Sequence, residues 1–473
     1  MVIIWYLVLV ICDFIFKPFY YIILIMDKKY YLLILLGLGL ATHFIFFSHP
    51  NQTVFDEVHF GKFISGYYTR EYFFDIHPPL GKMAIAGFAK LFDFKPGFAF
   101  AEIGNEYPDK QYLILRFLPN LAGSLLPIVI FLLLLEMSLS LRASFFGGLF
   151  IILENALLTQ SHYILLDSFL LIFGFLALLF YFRSKNLMPK AHNLLLFGLF
   201  SGLAISVKWT GLSFLALPLA FEAWRILKNR SFKNIAKHFL LPIVVAVGIY
   251  FIFFTGHLII LNKSGPGDAF MSIGFQKTLA GSKYENDLAD SPNLLQKFTE
   301  LNMEMYKANQ NLTATHPYSS EWYSWPLMTR PIYYWVDGDS RIYLIGNHVI
   351  WWASSAAILF SIILLLSEKL KVKSEKILRD KFILHFLLAG YVINILPFIG
   401  VKRVMFLYHY FTAYIFAVMI LTYLLDNTKY KNRVFAGLLI ASVVAFIYFA
   451  PLSYGLELPP KAYEARVWLE SWK

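Results

Sequence analysis

The residues able to do chemistry in this chain fall in a few short segments. Asp56 and Glu57 open the stretch Val54–Phe63, where Val54, Phe55, Val58 and Phe63 recur at near-helical spacing. That spacing predicts an amphipathic helix on a membrane surface with the acidic pair at its start. The pair could merely offset the positive end of the helix; alternatively, a carboxylate at this depth accepts a proton from an incoming hydroxyl. In Asp75-Ile76-His77-Pro78-Pro79-Leu80-Gly81-Lys82, two prolines stiffen the backbone and Gly81 allows another group to come close. His77 is therefore held in place, although the bland reading is a helix-entry turn. Arg116, near the outer end of an apolar stretch, either snorkels to the surface or faces a partner or polar cavity. Glu154, Asn155, Thr159, Gln160, His162 and Asp167 form a polar cluster that reads first as interhelical hydrogen bonding. Lys208, in Ser206–Gly211, and Arg403, in Lys402–Tyr410, are cations at turns predicted to face outward, where topology does not call for them. An anion at the interface would. The run from His316 to Pro331 mixes His316, Trp322, Trp325 and Arg330 with serines and Glu321. Its aromatics are either membrane-edge anchors or flat faces for a sugar ring with polar groups for the hydroxyls, and the mixture favours the sugar.

The elements that position these residues follow from composition. Of 473 residues 58% are hydrophobic and only 15% charged, where a soluble domain carries about 25% charged residues. Windows of roughly 20 apolar residues match the length of a membrane-crossing helix, so an all-α polytopic membrane protein is predicted. Eleven spans are read at 30–47, 112–135, 143–159, 163–182, 194–207, 210–225, 239–260, 343–366, 382–400, 404–425 and 433–450. With residues 26–29 inside, the inner connections hold 20 basic residues and few acids. The two long outer loops, about 48–111 and 261–342, hold 6 and 7 basic against 8 and 9 acidic residues. The net charge of +11 is thus mostly a topology signal and gives no reason to expect nucleic acid. Both loops are too long to be plain connectors, which places the chemistry on the extracytoplasmic side. Cys12 is the only cysteine, so an intrachain disulfide and a cysteine-based zinc site are excluded. Residues 1–25 read either as an extra or interfacial helix or as an overextended start ahead of Met26, the second being preferred; residues 456–473 form an outward tail.

In their order and placement, these segments resemble the protein O-mannosyltransferase family. The resemblance is carried by Phe55-Asp56-Glu57, Asp75–Lys82, Arg116, Asn155–Ser168, Ser206–Gly211, the His316–Pro331 run and Arg403–Tyr410, and it covers residues 30 to about 455. It implies a GT-C type glycosyltransferase of about 11 transmembrane helices that moves mannose from a lipid-phosphate donor to Ser or Thr hydroxyls with inversion. Asp56 would be the general base, with an ordinary pKa of about 3.9, and Glu57 would position the acceptor. Lys208, Arg403 and Arg116 would hold the donor phosphate; His77, His316, Trp322, Trp325 and Arg330 would contact sugar or acceptor. The second loop is too short for the trefoil-like module of eukaryotic relatives, so the compact prokaryotic form is expected, in a plasma membrane, with polyprenyl-phosphate-mannose as donor. No cofactor is expected, although a divalent metal and an oligomer both stay open. The competing readings are a related enzyme using another sugar or a lipid acceptor and, more distantly, a transporter.

Overall fold

The computed structural model describes residues 27–185, 191–229, 236–311, 315–367, 375–401 and 403–473. The expectations for residues 1–25 lie outside these, as do Lys190, Arg230, Lys233, Lys369, Lys371 and Lys373 of the inner connections. The first half of the chain forms α1 (Lys28–Phe44), α2 (Glu57–Thr69), α3 (Leu80–Lys90), α4 (Gln111–Glu136), α5 (Leu141–Ile152), α6 (Asn155–His162), α7 (Asp167–Arg183), α8 (Ala191–Val207), α9 (Leu212–Asn229) and α10 (Leu241–Ile260). The second long loop contributes α11 (Ile273–Lys277), α12 (Leu294–Asn311) and the hairpin β1 (Ile332–Asp337) and β2 (Ser340–Leu344). Then come α13 (His348–Leu366), α14 (Glu375–Ile393), α15 (Phe411–Asp426), α16 (Lys431–Tyr454) and α17 (Pro460–Glu464).

All eleven expected spans fall on helices. By length and composition alone, 7 described helices, or 8 counting one bent pair, qualify as membrane-crossing. The third expected span is not one rod: α5 and α6 meet at 56°. Glu154 causes the break to hold, because its carboxylate accepts a hydrogen bond from Ala156 N at 3.2 Å and so caps the start of α6. The antiparallel hairpin departs from a purely helical fold; Ile332 pairs with Leu344 and Asp337 with Ser340.

α15 is the axis of the bundle, with every residue from Phe411 to Tyr423 buried, packed against α13, α14 and α5. α10 and α16 are peripheral; Val244, Val247, Ile252, Val444 and Ile447 are exposed, as expected of side chains facing lipid. α8 packs closely on α10 because a Cβ on Gly202 would lie 2.9 Å from Ala246 Cα. At one end of the bundle, α2, α3 and the β1–β2 hairpin form the platform that carries the site.

Candidate active site

Phe55 fixes where Asp56 stands. Its backbone is left-handed (φ 45°), an uncommon state for a bulky residue. Its ring offsets that strain by stacking on Tyr334 of β1, with centroids 4.1 Å apart and planes 6° from parallel, while Phe55 N donates to Tyr334 O at 3.2 Å. Asp56 follows at the N-cap of α2, yet its carboxylate makes no capping bond and has no hydrogen-bond partner among the described residues. No capping bond therefore accounts for this side chain. Burial pushes its pKa up to about 7; Lys208 pulls downward and Asp167 and Asp75 push upward. The expected ordinary carboxyl is thus corrected. A value near neutrality suits a general base, which must be deprotonated yet able to take a proton.

Glu57, one residue on, is in a different world. It is wholly buried, and its two oxygens accept from Arg116 Nε and Nη2 (both 2.7 Å), Val54 N (2.9 Å), Tyr107 OH (3.1 Å) and Ile164 N (3.0 Å). Arg116, equally buried, also donates to Pro50 O at 2.7 Å and Gln52 O at 2.9 Å. The rings of Tyr107, Tyr112 and Tyr163 surround its guanidinium at 5.6, 4.8 and 5.0 Å. This bidentate pair locks the start of α2 onto α4. Against the roles expected of them, neither Arg116 nor Glu57 lines the hollow that Lys208 and Arg403 line, and both are taken up by partners within the protein.

A hollow of ≈ 580 Å³ including its mouth is lined by His77, Asp167, Lys208, Trp209, Asn309, Arg403, Tyr408 and His409, among others; Asp56 is not one of the lining residues, but the charges of Lys208 and Asp167, which are, act on it. Lys208 Nζ donates to Asp167 Oδ1 at 2.7 Å and lies 5.2 Å from the Tyr408 ring centre. Asp167 Oδ2 accepts from Gln160 Nε2 at 2.6 Å, and Gln160 Oε1 accepts from Tyr334 OH. A hydrogen-bonded chain therefore runs from the cation through Asp167 and Gln160 to the tyrosine on which Phe55 stacks. It ties the position of Lys208 to that of Asp56. Arg403 reaches the same hollow; its Nη2 lies 3.3 Å from His409 Nε2. His409 Nδ1 in turn lies 3.0 Å from Phe406 O and 3.1 Å from Phe406 N, so the ring is fixed on both edges. Burial and Coulomb repulsion from Lys208 and Arg403 hold His77 neutral, well below its ordinary pKa.

The turn presenting His77 is clasped by its own motif. Buried Lys82 pairs with Asp75 and donates to His77 O at 2.9 Å and Pro78 O at 3.2 Å, while Asp75 Oδ1 accepts from His77 N at 3.2 Å. A Cβ on Gly81 would come within 2.9 Å of Leu166 Cδ2, so the glycine seats α3 beside the start of α7.

Residues 33–262 match the family described as dolichyl-phosphate-mannose-protein mannosyltransferase, and residues 294–472 match the C-terminal four TMM region of protein-O-mannosyltransferase. The chain belongs to the protein O-mannosyltransferase family. Protein O-mannosyltransferase 1 of Drosophila pseudoobscura pseudoobscura is 36% identical over 264 residues, 52% of this chain and 28% of that protein. Protein O-mannosyl-transferase 1 of Mus musculus is 36% identical over 278 residues, 55% of this chain and 37% of that one. The matches thus span about a third of each relative's length. In fold, the chain is similar to the structure titled S. cerevisiae protein O-mannosyltransferase Pmt1-Pmt2 complex bound to the sugar donor. The TM-score is 0.89 at 22% identity, over 95% of this chain and 93% of that one. The fold is that of the GT-C glycosyltransferases.

Within this family fold, the remaining expected residues separate. Trp325 is fully buried, donates to Ser320 Oγ at 2.9 Å and stacks on His409 at 6.1 Å. It supports the hollow rather than offering a face to a sugar, which corrects that expectation. Arg330 donates to Ser471 O at 2.8 Å and Pro317 O at 2.7 Å, so it ties the loop to the C-terminal tail and is likewise corrected. His316 packs edge-on against Phe406 at 5.0 Å, and Phe406 in turn meets Phe55 at 6.2 Å; His316 does not line the hollow. Trp322 is half-buried beside Tyr323 and does not line the hollow. Sequence reasoning missed Tyr334, Tyr408 and Asn309 as members of the site and Gln160 as its connector. Gln160 and Asp167 had been noted only as structural polar groups, and their spacing of seven residues gave no sign that Lys208 would complete the set. Among the described residues, no group of three or more His, Cys, Asp and Glu side chains could hold a metal ion.

Proposed function

We propose that this chain transfers mannose from a polyprenyl-phosphate-mannose donor to Ser or Thr hydroxyls of a polypeptide, at the extracytoplasmic face of the plasma membrane. The observation that carries the proposal is the unbonded Asp56 carboxylate, with a raised pKa, within the electrostatic reach of Lys208 and Asp167, which line a hollow together with Arg403 and neutral His77. The acceptor oxygen attacks the anomeric carbon of the sugar while its proton passes to Asp56. As the carbon–oxygen bond to the lipid phosphate breaks, negative charge grows on that phosphate, and Lys208 and Arg403 stabilise it. A single displacement inverts the anomeric configuration. A lipid monophosphate leaves with less charge than a nucleotide diphosphate, and two fixed cations suffice for it. Lys208 is held by Asp167, so its attraction to phosphate is set against an existing ion pair. The relatives' names support mannose as the sugar, and the pairing of Pmt1 with Pmt2 in the similar structure supports an oligomer.

The test is incubation of purified protein with labelled polyprenyl-phosphate-mannose and a Ser/Thr-rich peptide. Label on the peptide, in the configuration opposite to the donor's, is expected. Label on lipid alone, or uptake into vesicles without transfer, would contradict the proposal.

A further inference from the structure

Asn309, near the C-terminal end of α12, is a lining residue of the hollow that the mechanism above leaves without a task. Its Nδ2 donates to Ile76 O at 3.1 Å and to Met305 O at 2.9 Å. Both acceptors are backbone carbonyls, which cannot donate, so the amide can be oriented in only one way. Both of its N–H groups are consumed. Its Oδ1, with no partner among the described residues, is an acceptor with nothing from the protein to accept. The same bond to Ile76 O fixes Asn309 relative to His77, the next residue along, which lines the hollow as well.

A pinned amide that offers only an acceptor reads one kind of group: a hydroxyl able to donate. The phosphate of the donor offers none, and the acceptor alcohol gives its proton to Asp56. The hydroxyls of the transferred sugar remain. We propose that Asn309 is a specificity residue whose Oδ1 accepts a hydrogen bond from a ring hydroxyl of the donor sugar. This inference rests on the transferase reading of the site. It accounts for a residue from the second long loop reaching a hollow otherwise built mainly from the turn before α3, from α7, from the segment leading into α9 and from the start of α15 with the segment before it.

The test pairs the protein with donors lacking single hydroxyls. Wild-type protein and Asn309→Ala are assayed for kcat/KM with polyprenyl-phosphate-mannose and with its 2-, 3-, 4- and 6-deoxy analogues. Wild-type protein is expected to lose about tenfold with one analogue, the typical effect of one hydrogen bond, and the variant to show no further loss with that analogue. Asn309→Asp, which keeps an acceptor oxygen but loses the two bonds that pin it, is expected to show a smaller penalty with that analogue than wild type. Should Asn309→Ala not fold, Asn309→Leu, branched at the same atom, replaces it. A purely structural Asn309 would lower all rates and leave the analogue ratios unchanged, and that result overturns the inference. Absence of peptide labelling by the wild-type protein with every donor would instead overturn the transferase reading itself, and this inference with it.

Discussion

Arg116→Ala separates two roles for the buried cation with unequal consequences. The substitution removes the two bonds that hold Glu57 and the two that tie the guanidinium to Pro50 O and Gln52 O. Glu57 keeps Val54 N, Tyr107 OH and Ile164 N as donors, but its charge is left without a counter-ion at zero exposure. Breaking a buried pair from one side costs about 3–5 kcal/mol, and the loss of packing against three tyrosines adds to it. The purified variant should therefore unfold at markedly lower temperature or denaturant than wild type. Arg116→Lys should recover only part of this, since an ammonium cannot bond in bidentate fashion. The assay is tryptophan fluorescence or size-exclusion retention against temperature in detergent, with donor KM measured on whatever fraction stays folded. A variant as stable as wild type, with its defect confined to donor KM, would refute this reasoning and return Arg116 to the phosphate.

Other perturbations address the site itself. Because Asp56 acts as the carboxylate, kcat/KM should rise with pH through a midpoint near 7 and then level off; a midpoint near 4 would contradict the raised pKa. Lys208→Met should lower kcat by about 10²–10³-fold, and because Lys208 holds the Asp56 pKa down, it should also move that midpoint to higher pH. Gln160→Leu cuts the chain between Lys208–Asp167 and Tyr334 and should cost activity without weakening the Glu57–Arg116 pair; unchanged turnover would show that the chain does not position the site. Arg330→Ala should loosen the C-terminal tail, read as faster proteolysis beyond residue 456, while donor KM stays near wild type; a large rise in donor KM would return Arg330 to the donor.

The bundle was legible because a membrane leaves one strong signal, runs of apolar residues of fixed length, and all eleven runs fall on helices. The break after Ile152 was not, since Glu154 reads as an intramembrane acid until its capping bond to Ala156 is seen. For the site, local motifs carried far: the Asp56–Glu57 pair, the His77 turn, Lys208 and Arg403 were each visible as residues in unusual places, and the fold gathers three of the four segments around one hollow. What the sequence could not show was partnership across long separations. Neighbours in the chain, Asp56 and Glu57 look interchangeable; only Arg116, 59 positions away, makes one of them a buried anchor and leaves the other free. Trp325 and Arg330 sit in a segment rich in sugar-binding residue types, yet tertiary packing turns one inward and draws the other to the tail.

The most direct measurement is single-turnover transfer by Asp56→Asn with purified polyprenyl-phosphate-mannose and a Ser/Thr peptide, beside a binding assay for the donor. Asparagine keeps the size and removes the basicity. The rate should fall by about 10²–10⁴-fold, the usual contribution of a positioned base, while donor affinity and thermal stability stay near wild type. Transfer at close to the wild-type rate would contradict the assignment of Asp56 as the base.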